Sequence, residues 1–88
     1  MSADGAARDG LREVVLYGRP GCHLCDDALA VLQRVGERVP FSLTQLDIER
    51  DDALLLRFLE RIPVVTIDGR EVFELFVPED ALERALLS

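Results

Sequence analysis

The sequence predicts an α/β domain with the element order β-α-β-α-β-β-α, built on a four-stranded mixed sheet with helices on both faces. Short apolar runs, which suit buried strands, alternate along the chain with stretches whose apolar residues recur every three or four positions, which suit helices. The dipeptide Asp68-Gly69 separates the last two strands and is typical of a tight hairpin. A helix-linked pair of strands followed by a hairpin requires a mixed sheet.

The first half of the chain predicts two strands and the helix between them. Glu13 to Tyr17 contains the apolar run of the first strand, and Phe41 to Ile48 alternates loosely as the second. Cys22 to Gly36 forms the helix, because one apolar stripe runs through Leu24, Ala28, Val31, Leu32 and Val35. Two strands that flank a helix in this way are expected to lie parallel, with a right-handed crossover.

The second half of the chain predicts a short helix, a hairpin and a closing helix. The acidic residues before the short helix suit its N-cap, and a proline suits the first position of the closing helix. The expected elements are a helix capped by Asp51 or Asp52 and running through about Arg61, strands Val64–Ile67 and Arg70–Phe76, and a helix that begins at Pro78.

Length and charge limit the classes of protein to which the chain can belong. It has 88 residues and a formal charge of −7, and its 10 basic residues are all arginine, spread along the chain. One small domain is expected over residues 12–88, after a disordered leader over residues 1–11. Without a basic patch, binding to nucleic acid or to an anionic membrane is not expected.

No targeting or membrane-spanning segment is predicted. The first 12 residues contain no apolar stretch of the kind that a secretory signal carries, and no apolar run has the length of a membrane span. We therefore expect a cytoplasmic, monomeric protein. In a reducing compartment, a pair of cysteines is more often redox-active or metal-binding than a structural disulfide.

The two cysteines of the chain lie where the first strand passes through the Pro20-Gly21 turn into the first helix. At a helix mouth, unpaired backbone N–H groups and the positive end of the helix dipole stabilise a thiolate, which is the nucleophilic form of cysteine. Cys22 is therefore the expected attacking cysteine. Cys25 lies one helical turn further in and is the expected resolving cysteine.

Several neighbours of the cysteines have both a functional and a structural interpretation. Asp26 can oppose a thiolate at Cys22, and Arg19 can offset that charge. His23 can tune the thiolates because its charge changes near neutral pH, or it can be an exposed residue of the first helical turn. Tyr17 either lines the site or packs at the strand end, and Arg19 either binds a partner or is an ordinary surface charge.

Three landmarks resemble the glutaredoxin-like branch of the thioredoxin fold, over roughly residues 13–87. They are Tyr17-Gly18-Arg19-Pro20-Gly21-Cys22-His23-Leu24-Cys25, Arg61-Ile62-Pro63-Val64 and the Asp68-Gly69 hairpin. The resemblance implies the thioredoxin fold, with Pro63 in a cis peptide bond that faces the dithiol. It also implies that the backbone of Ile62 is free to pair with an extended substrate segment, as an added strand does.

Departures from the glutaredoxin pattern bear on the reductant. His23-Leu24 replaces the Pro-Tyr common between glutaredoxin cysteines, and the stretch 74–80 lacks the Gly-Gly that usually follows the fourth strand. Glu79 and Asp80 would place negative charge near the glycyl carboxylate of glutathione, and Arg61 stands where glutaredoxins usually have threonine. No tightly bound cofactor is expected. Glutathione is a possible reductant, but these departures argue against it.

The leading hypothesis for function is a thiol–disulfide oxidoreductase. Its substrate would be a disulfide-containing protein or a small-molecule disulfide, and its electron donor glutathione, a thioredoxin reductase or another dithiol protein. The candidate substrate-binding residues are Arg19, His23, Ile62 and Pro63. One alternative is a module that binds a metal or an iron–sulfur cluster, although two cysteines fall short of the four ligands of a structural zinc site. Another is a redox-inactive adaptor with the thioredoxin fold.

Overall fold

The computed structural model describes residues 11–88, so the predicted leader over residues 1–11 lies outside the described residues except for Leu11. A single 3₁₀ turn, Ile48–Arg50, joins the second strand to the second helix. The strands and helices are β1 (Arg12–Gly18), α1 (His23–Gly36), β2 (Phe41–Asp47), α2 (Asp52–Phe58), β3 (Val64–Ile67), β4 (Arg70–Glu74) and α3 (Glu79–Leu87). None of the helices within this part of the chain is long and apolar enough to cross a membrane.

The four strands form one mixed sheet in the order β2-β1-β3-β4. Strand β1 is parallel to β2, and β3 is antiparallel to both β1 and β4. This arrangement confirms the predicted fold class and the predicted parallel pair. Because Tyr17 lies opposite Val64 in the β1–β3 ladder, the chain segments that follow Tyr17 and precede Val64 meet at one edge of the sheet.

Two apolar clusters cover the two faces of the sheet. The larger cluster joins strand residues such as Val14 and Leu16 to the buried faces of α1 and α3, which contribute Leu32 and Leu82 among others. The smaller cluster consists of Cys25, Ile48, Phe58, Ile62 and Val64. Neighbouring residues of a strand point to opposite faces. Helices α1 and α3 therefore pack on one face, whereas α2 packs on the other.

Ion pairs connect the start of α3 to the last turn of α1 and to the residues that follow it. The Glu79 carboxylate accepts hydrogen bonds from Arg34 at 3.2 Å and from Arg38 at 3.1 Å, and Arg38 also donates to Glu83 at 2.8 Å. Hydrogen bonds from Arg38 and then Arg34 hold the pKa of the Glu79 carboxyl below its usual value. The negative charge of Glu79 is thus compensated within the fold, which the sequence alone did not predict.

The β3–β4 hairpin is closed by Asp68 and Gly69, as predicted. Both residues have positive φ angles, 52° and 85°, which is the backbone conformation of a type I′ turn. The Asp68 carboxylate also accepts a hydrogen bond from the backbone N–H of Glu13 at 2.9 Å. This bond and the Arg12 guanidinium lower the pKa of the Asp68 carboxyl.

Two predicted elements end earlier than expected, and one begins later. Helix α2 stops at Phe58 rather than near Arg61. The Arg61 N–H donates to the Phe58 carbonyl over three residues rather than the four of an α-helix, so the chain tightens into a turn before Pro63. Strand β4 stops at Glu74 rather than at residue 76, because the next residue has a positive φ angle. In α3, Pro78 is the N-cap rather than the first helical residue.

Candidate active site

The turn between β1 and α1 places Cys22 at the N-cap of the helix. Gly21 has a φ angle of 80°, which a residue with a side chain rarely adopts. Cys22 itself is extended, with φ −93° and ψ 110°, and its Sγ accepts a hydrogen bond from the backbone N–H of Cys25 at 3.1 Å. The sulfur therefore occupies the position in which an N-cap side chain satisfies a free helical N–H.

The two cysteine sulfurs are bonded to each other, and they differ in exposure. The Cα atoms of Cys22 and Cys25 lie 5.2 Å apart, which is within the usual range for a disulfide. Cys22 is half-buried, whereas only 7% of Cys25 is exposed. A partner disulfide can reach Cys22 more easily than Cys25, so the geometry favours Cys22 as the cysteine that meets substrate.

Apolar side chains form the floor beneath the cysteines. Cys25 belongs to the smaller core cluster, and Cys22 and Tyr17 pack against that cluster. The rings of Tyr17 and Phe58 have centroids 4.8 Å apart, with planes tilted by 40°. Tyr17 thus packs at the strand end and also contacts the cluster that holds the dithiol, so its two interpretations are compatible.

Gly18, the last residue of β1, was not singled out from the sequence. A Cβ atom at this position would lie 2.9 Å from the Sγ and 3.2 Å from the Cβ of Cys25. Real Cβ atoms essentially never approach so closely, so the strand end must carry glycine or Cys25 must shift. The only signal in the sequence was a glycine at the end of an apolar strand.

Pro63 follows a cis peptide bond, as the resemblance implied, and is fully buried. The expectation that the backbone of Ile62 is free to pair with a substrate is only half compatible with the structure. The N–H of Ile62 already donates to the carbonyl of Phe58 at 3.1 Å. Among the described residues, no backbone N–H donates to the Ile62 carbonyl, so that oxygen is the group through which a substrate strand could pair.

Arg61 has a structural role at the position where glutaredoxins usually have threonine. Its guanidinium bonds the carboxylates of Glu71 and Glu74 on β4, the latter at 2.8 Å. It also lies 5.3 Å from the centre of the Phe58 ring, a cation–π distance. Hydrogen bonds from Arg61 and then Arg57 lower the pKa of the Glu71 carboxyl. Arg61 therefore fixes the segment before the cis-proline to β4.

The charged residues near the cysteines lie at the rim rather than in the core. Arg19 is exposed and pairs with Glu49 at 3.6 Å. It borders a cavity of about 300 Å³ that Cys25, Asp26 and Asp47 also line. His23 and Asp26 are exposed in the first turn of α1. Within residues 11–88, no three histidine, cysteine or acidic side chains converge as a set of metal ligands.

Solved structures resemble the chain over most of its length. Protein Ne2328 from Nitrosomonas europaea is 29% identical, with a TM-score of 0.77, and the match covers 86% of this chain and 92% of that protein. The X. campestris protein XcR50 is 30% identical, with a TM-score of 0.72 and coverages of 83% and 93%. A mutant thioredoxin from Halobacterium salinarum is 20% identical, with a TM-score of 0.66 and coverages of 96% and 79%.

A protein-family model also matches the chain over most of its length. No curated protein matches the chain. The thioredoxin from H. salinarum supports the fold alone, because its identity is low. The model of the glutaredoxin-like domain (DUF836) matches residues 13–87, which include both cysteines, the cis-proline and the hairpin. The chain therefore belongs to the glutaredoxin-like domain family, and it has the thioredoxin fold.

Proposed function

We propose that the protein is a thiol–disulfide oxidoreductase in which Cys22 attacks and Cys25 resolves. The observation that carries this proposal is the N-cap position of Cys22, whose sulfur accepts the Cys25 N–H at 3.1 Å. That bond and the helix dipole stabilise a negative sulfur, and the thiolate is the reactive form of cysteine. Because Cys22 is half-buried and Cys25 is nearly inaccessible, we assign the attack on the substrate to Cys22 and the resolving step to Cys25.

The cycle begins with both cysteines reduced. The Cys22 thiolate attacks one sulfur of a substrate disulfide, the substrate S–S bond breaks, and the leaving thiolate takes up a proton. Cys25 then loses its proton and attacks the Cys22 sulfur of the mixed disulfide. The second substrate thiol leaves, and the Cys22–Cys25 disulfide forms. Two electrons have passed to the substrate, and an external thiol or dithiol donor must return them.

The substrate would lie across the rim of the site. An extended segment could pair with the free carbonyl of Ile62 beside Pro63, which adds one strand-like hydrogen bond to the complex. Arg19 and His23 are exposed on either side of Cys22 in the sequence and could contact the same segment. Arg19 would first have to leave its 3.6 Å pair with Glu49, a weak and exposed contact.

A coupled assay of disulfide reduction with two donor systems tests the proposal. One system contains NADPH, glutathione reductase and glutathione, and the other contains NADPH and thioredoxin reductase. We expect turnover with at least one system. Two arginines compensate the charge of Glu79, although not that of Asp80, which weakens the charge objection to glutathione, so both donors are worth testing.

The cysteine variants provide matched controls for this assay. Cys22→Ser should abolish turnover with either donor, because no attacking thiolate remains. Cys25→Ser should stop the dithiol cycle at the mixed disulfide and leave only reactions in which an external thiol resolves it. Absence of turnover with both donors, or full turnover by Cys22→Ser, would contradict the proposed function.

A further inference from the structure

An apolar groove of about 230 Å³ lies between α1 and the segment that links β4 to α3. Leu24, Ala28 and Val31 line it from the helix, and Leu75 and Phe76 line it from the linking segment. Leu24, which lines the groove, lies between the two cysteines in the chain. Pockets for whole small molecules usually measure ~300–1000 Å³, so a groove of this size fits one large side chain better.

The linking segment holds its apolar residues at the surface by backbone hydrogen bonds. The N–H of Leu75 donates to the carbonyls of Arg61 at 3.2 Å and Pro63 at 2.8 Å, and the N–H of Phe76 donates to the carbonyl of Glu74 at 2.8 Å. These bonds keep Leu75 at a φ angle of 71°, which is unfavourable for leucine. Strained backbone of this kind occurs at ligand clamps.

Leu75 and Phe76 expose large apolar side chains, so the strained segment carries a surface that can bind a ligand. Phe76 is 66% exposed and Leu75 is 37% exposed, although both are large and apolar. The same backbone bonds that strain Leu75 also fix the segment to the chain on both sides of Ile62, beside the cysteines. The groove is therefore a preformed apolar surface. On one wall, Leu24 precedes Cys25 in the chain, and on the other, Leu75 is held beside Ile62, which packs in the same core cluster as Cys25.

The charge of the groove indicates what it can bind. Asp27 is the one ionisable residue that lines the groove. Its side chain is exposed, and it forms no ion pair with another residue in the described part of the chain. The nearby carboxylates of Glu74 and Glu79 are already neutralised: Arg61 pairs with Glu74, and Arg34 and Arg38 pair with Glu79. An apolar side chain accompanied by a cation complements this surface, whereas an anionic ligand does not.

We propose that this groove selects the disulfide substrate, by binding an apolar side chain that lies beside a basic residue in a protein or peptide disulfide. The proposal rests on the proposed thiol–disulfide function and names its substrate class. The apolar side chain contacts Phe76, Leu75 and Leu24, and the basic residue pairs with Asp27. Glutathione disulfide, which carries carboxylates and no large apolar side chain, gains nothing from the groove.

Steady-state reduction of matched disulfides tests the groove. One peptide disulfide carries Phe and Arg beside its cysteine, a second of equal length carries Ser and Glu, and glutathione disulfide is the third substrate. Bis(2-hydroxyethyl) disulfide, which is small and uncharged, reports the reactivity of Cys22 itself. We expect kcat/KM for the Phe-Arg peptide to exceed that for the Ser-Glu peptide by ~10-fold or more.

Variants then assign the preference to the groove. Phe76→Ser should lower kcat/KM for the Phe-Arg peptide ~10-fold and leave that for the small disulfide unchanged. Asp27→Asn should reduce the preference for the basic peptide, measured as its ratio to the small disulfide. Leu56→Ser is the matched control, because Leu56 is 87% exposed on α2 and does not line the groove.

The possible outcomes separate the two proposals. Reduction of the small disulfide with equal kcat/KM for both peptides, or with a preference for glutathione disulfide, would overturn the groove proposal alone. Failure to reduce any disulfide would overturn the proposed function and this inference with it. A dimer in sedimentation that Phe76→Ser dissociates would identify a second copy of the chain as the occupant, and it would also overturn the proposal.

Discussion

At the scale of single residues, Cys22 and Cys25 have different surroundings although they lie three positions apart. Cys22 ends the turn and accepts a helical N–H, whereas Cys25 is buried among apolar side chains against the end of β1. Hydrogen bonding to a charged group favours its charged form, and burial disfavours it. The sequence predicted the position of Cys22 at the helix start, because it depends on a strand, a Pro-Gly turn and a helix start that are all local. It did not predict the burial of Cys25, which depends on the packing of distant segments.

The difference between the cysteines can be measured in single-cysteine variants. We expect the thiolate absorbance of Cys25→Ser, which retains Cys22, to appear at a lower pH than that of Cys22→Ser, which retains Cys25. The N-cap hydrogen bond and the helix dipole act on Cys22, whereas burial acts on Cys25. Thiolate absorbance that rises over the same pH range in both variants would contradict this account of the site.

Gly18 gives a second prediction at this scale. Gly18→Ala would place a Cβ 2.9 Å from the Sγ of Cys25, so we expect the oxidised protein to lose about 1–3 kcal/mol in its free energy of unfolding, as overpacked cores do. Urea unfolding measures the change. Gly36→Ala is the control, because its Cβ would meet the Phe41 ring at an ordinary 3.4 Å. Equal effects of the two substitutions would rule out close approach at Gly18 as the cause.

At the scale of elements, α2 carries part of the floor of the site. Phe58 from its last turn contacts Tyr17, and Asp51 caps its first turn by accepting the N–H groups of Ala53 at 2.9 Å and Leu54 at 3.2 Å. The cap was predictable from an acidic residue before an apolar run. The early end of α2 was not, because the turn in which Arg61 and Ile62 both bond the Phe58 carbonyl has no local sequence pattern.

Removal of this cap should weaken α2. Asp51→Ala loses the hydrogen bonds to Ala53 and Leu54, so we expect the free energy of unfolding to fall by about 1 kcal/mol. Asp51→Asn, which can still accept these bonds, should lose much less. Urea unfolding of both variants makes the comparison, and equal losses would show that the charge of Asp51, rather than its cap, is what stabilises the helix.

The ion pairs between elements predict how stability depends on pH. The pKa of Glu79 is lowered from its ordinary 4.5 by Arg38 and then Arg34, so its contribution is fully present above pH 4.5 and is lost as the pH falls through the lower folded value. Urea unfolding between about pH 3 and 6 should show a shallower acid loss in Glu79→Gln than in the wild type. An identical pH dependence in the two proteins would mean that these pairs contribute nothing.

At the scale of the whole molecule, the sheet order brings the cysteines and the cis-proline together. Strand β1 is central, and its pairing with β3 sets Tyr17 against Val64. Local patterns predicted each strand and the parallel pairing of β1 with β2. The order of the four strands in the sheet was not predicted, and the cis conformation of Pro63 came from the resemblance to a known family. The groove beside Leu75 and Phe76 was not predicted. No local sequence pattern indicates a positive φ angle at a leucine, or the packing of the β4–α3 segment against α1.

The central claim is the division of work between the two cysteines, and trapping of the mixed disulfide tests it most directly. Each single-cysteine variant is mixed with an excess of a peptide disulfide, and the intact protein is weighed by mass spectrometry. The account predicts that Cys25→Ser gains the mass of one half of the peptide disulfide, on Cys22. It predicts that Cys22→Ser gains none on the same timescale. An adduct that forms equally fast on Cys25, or no adduct in either variant, would contradict it.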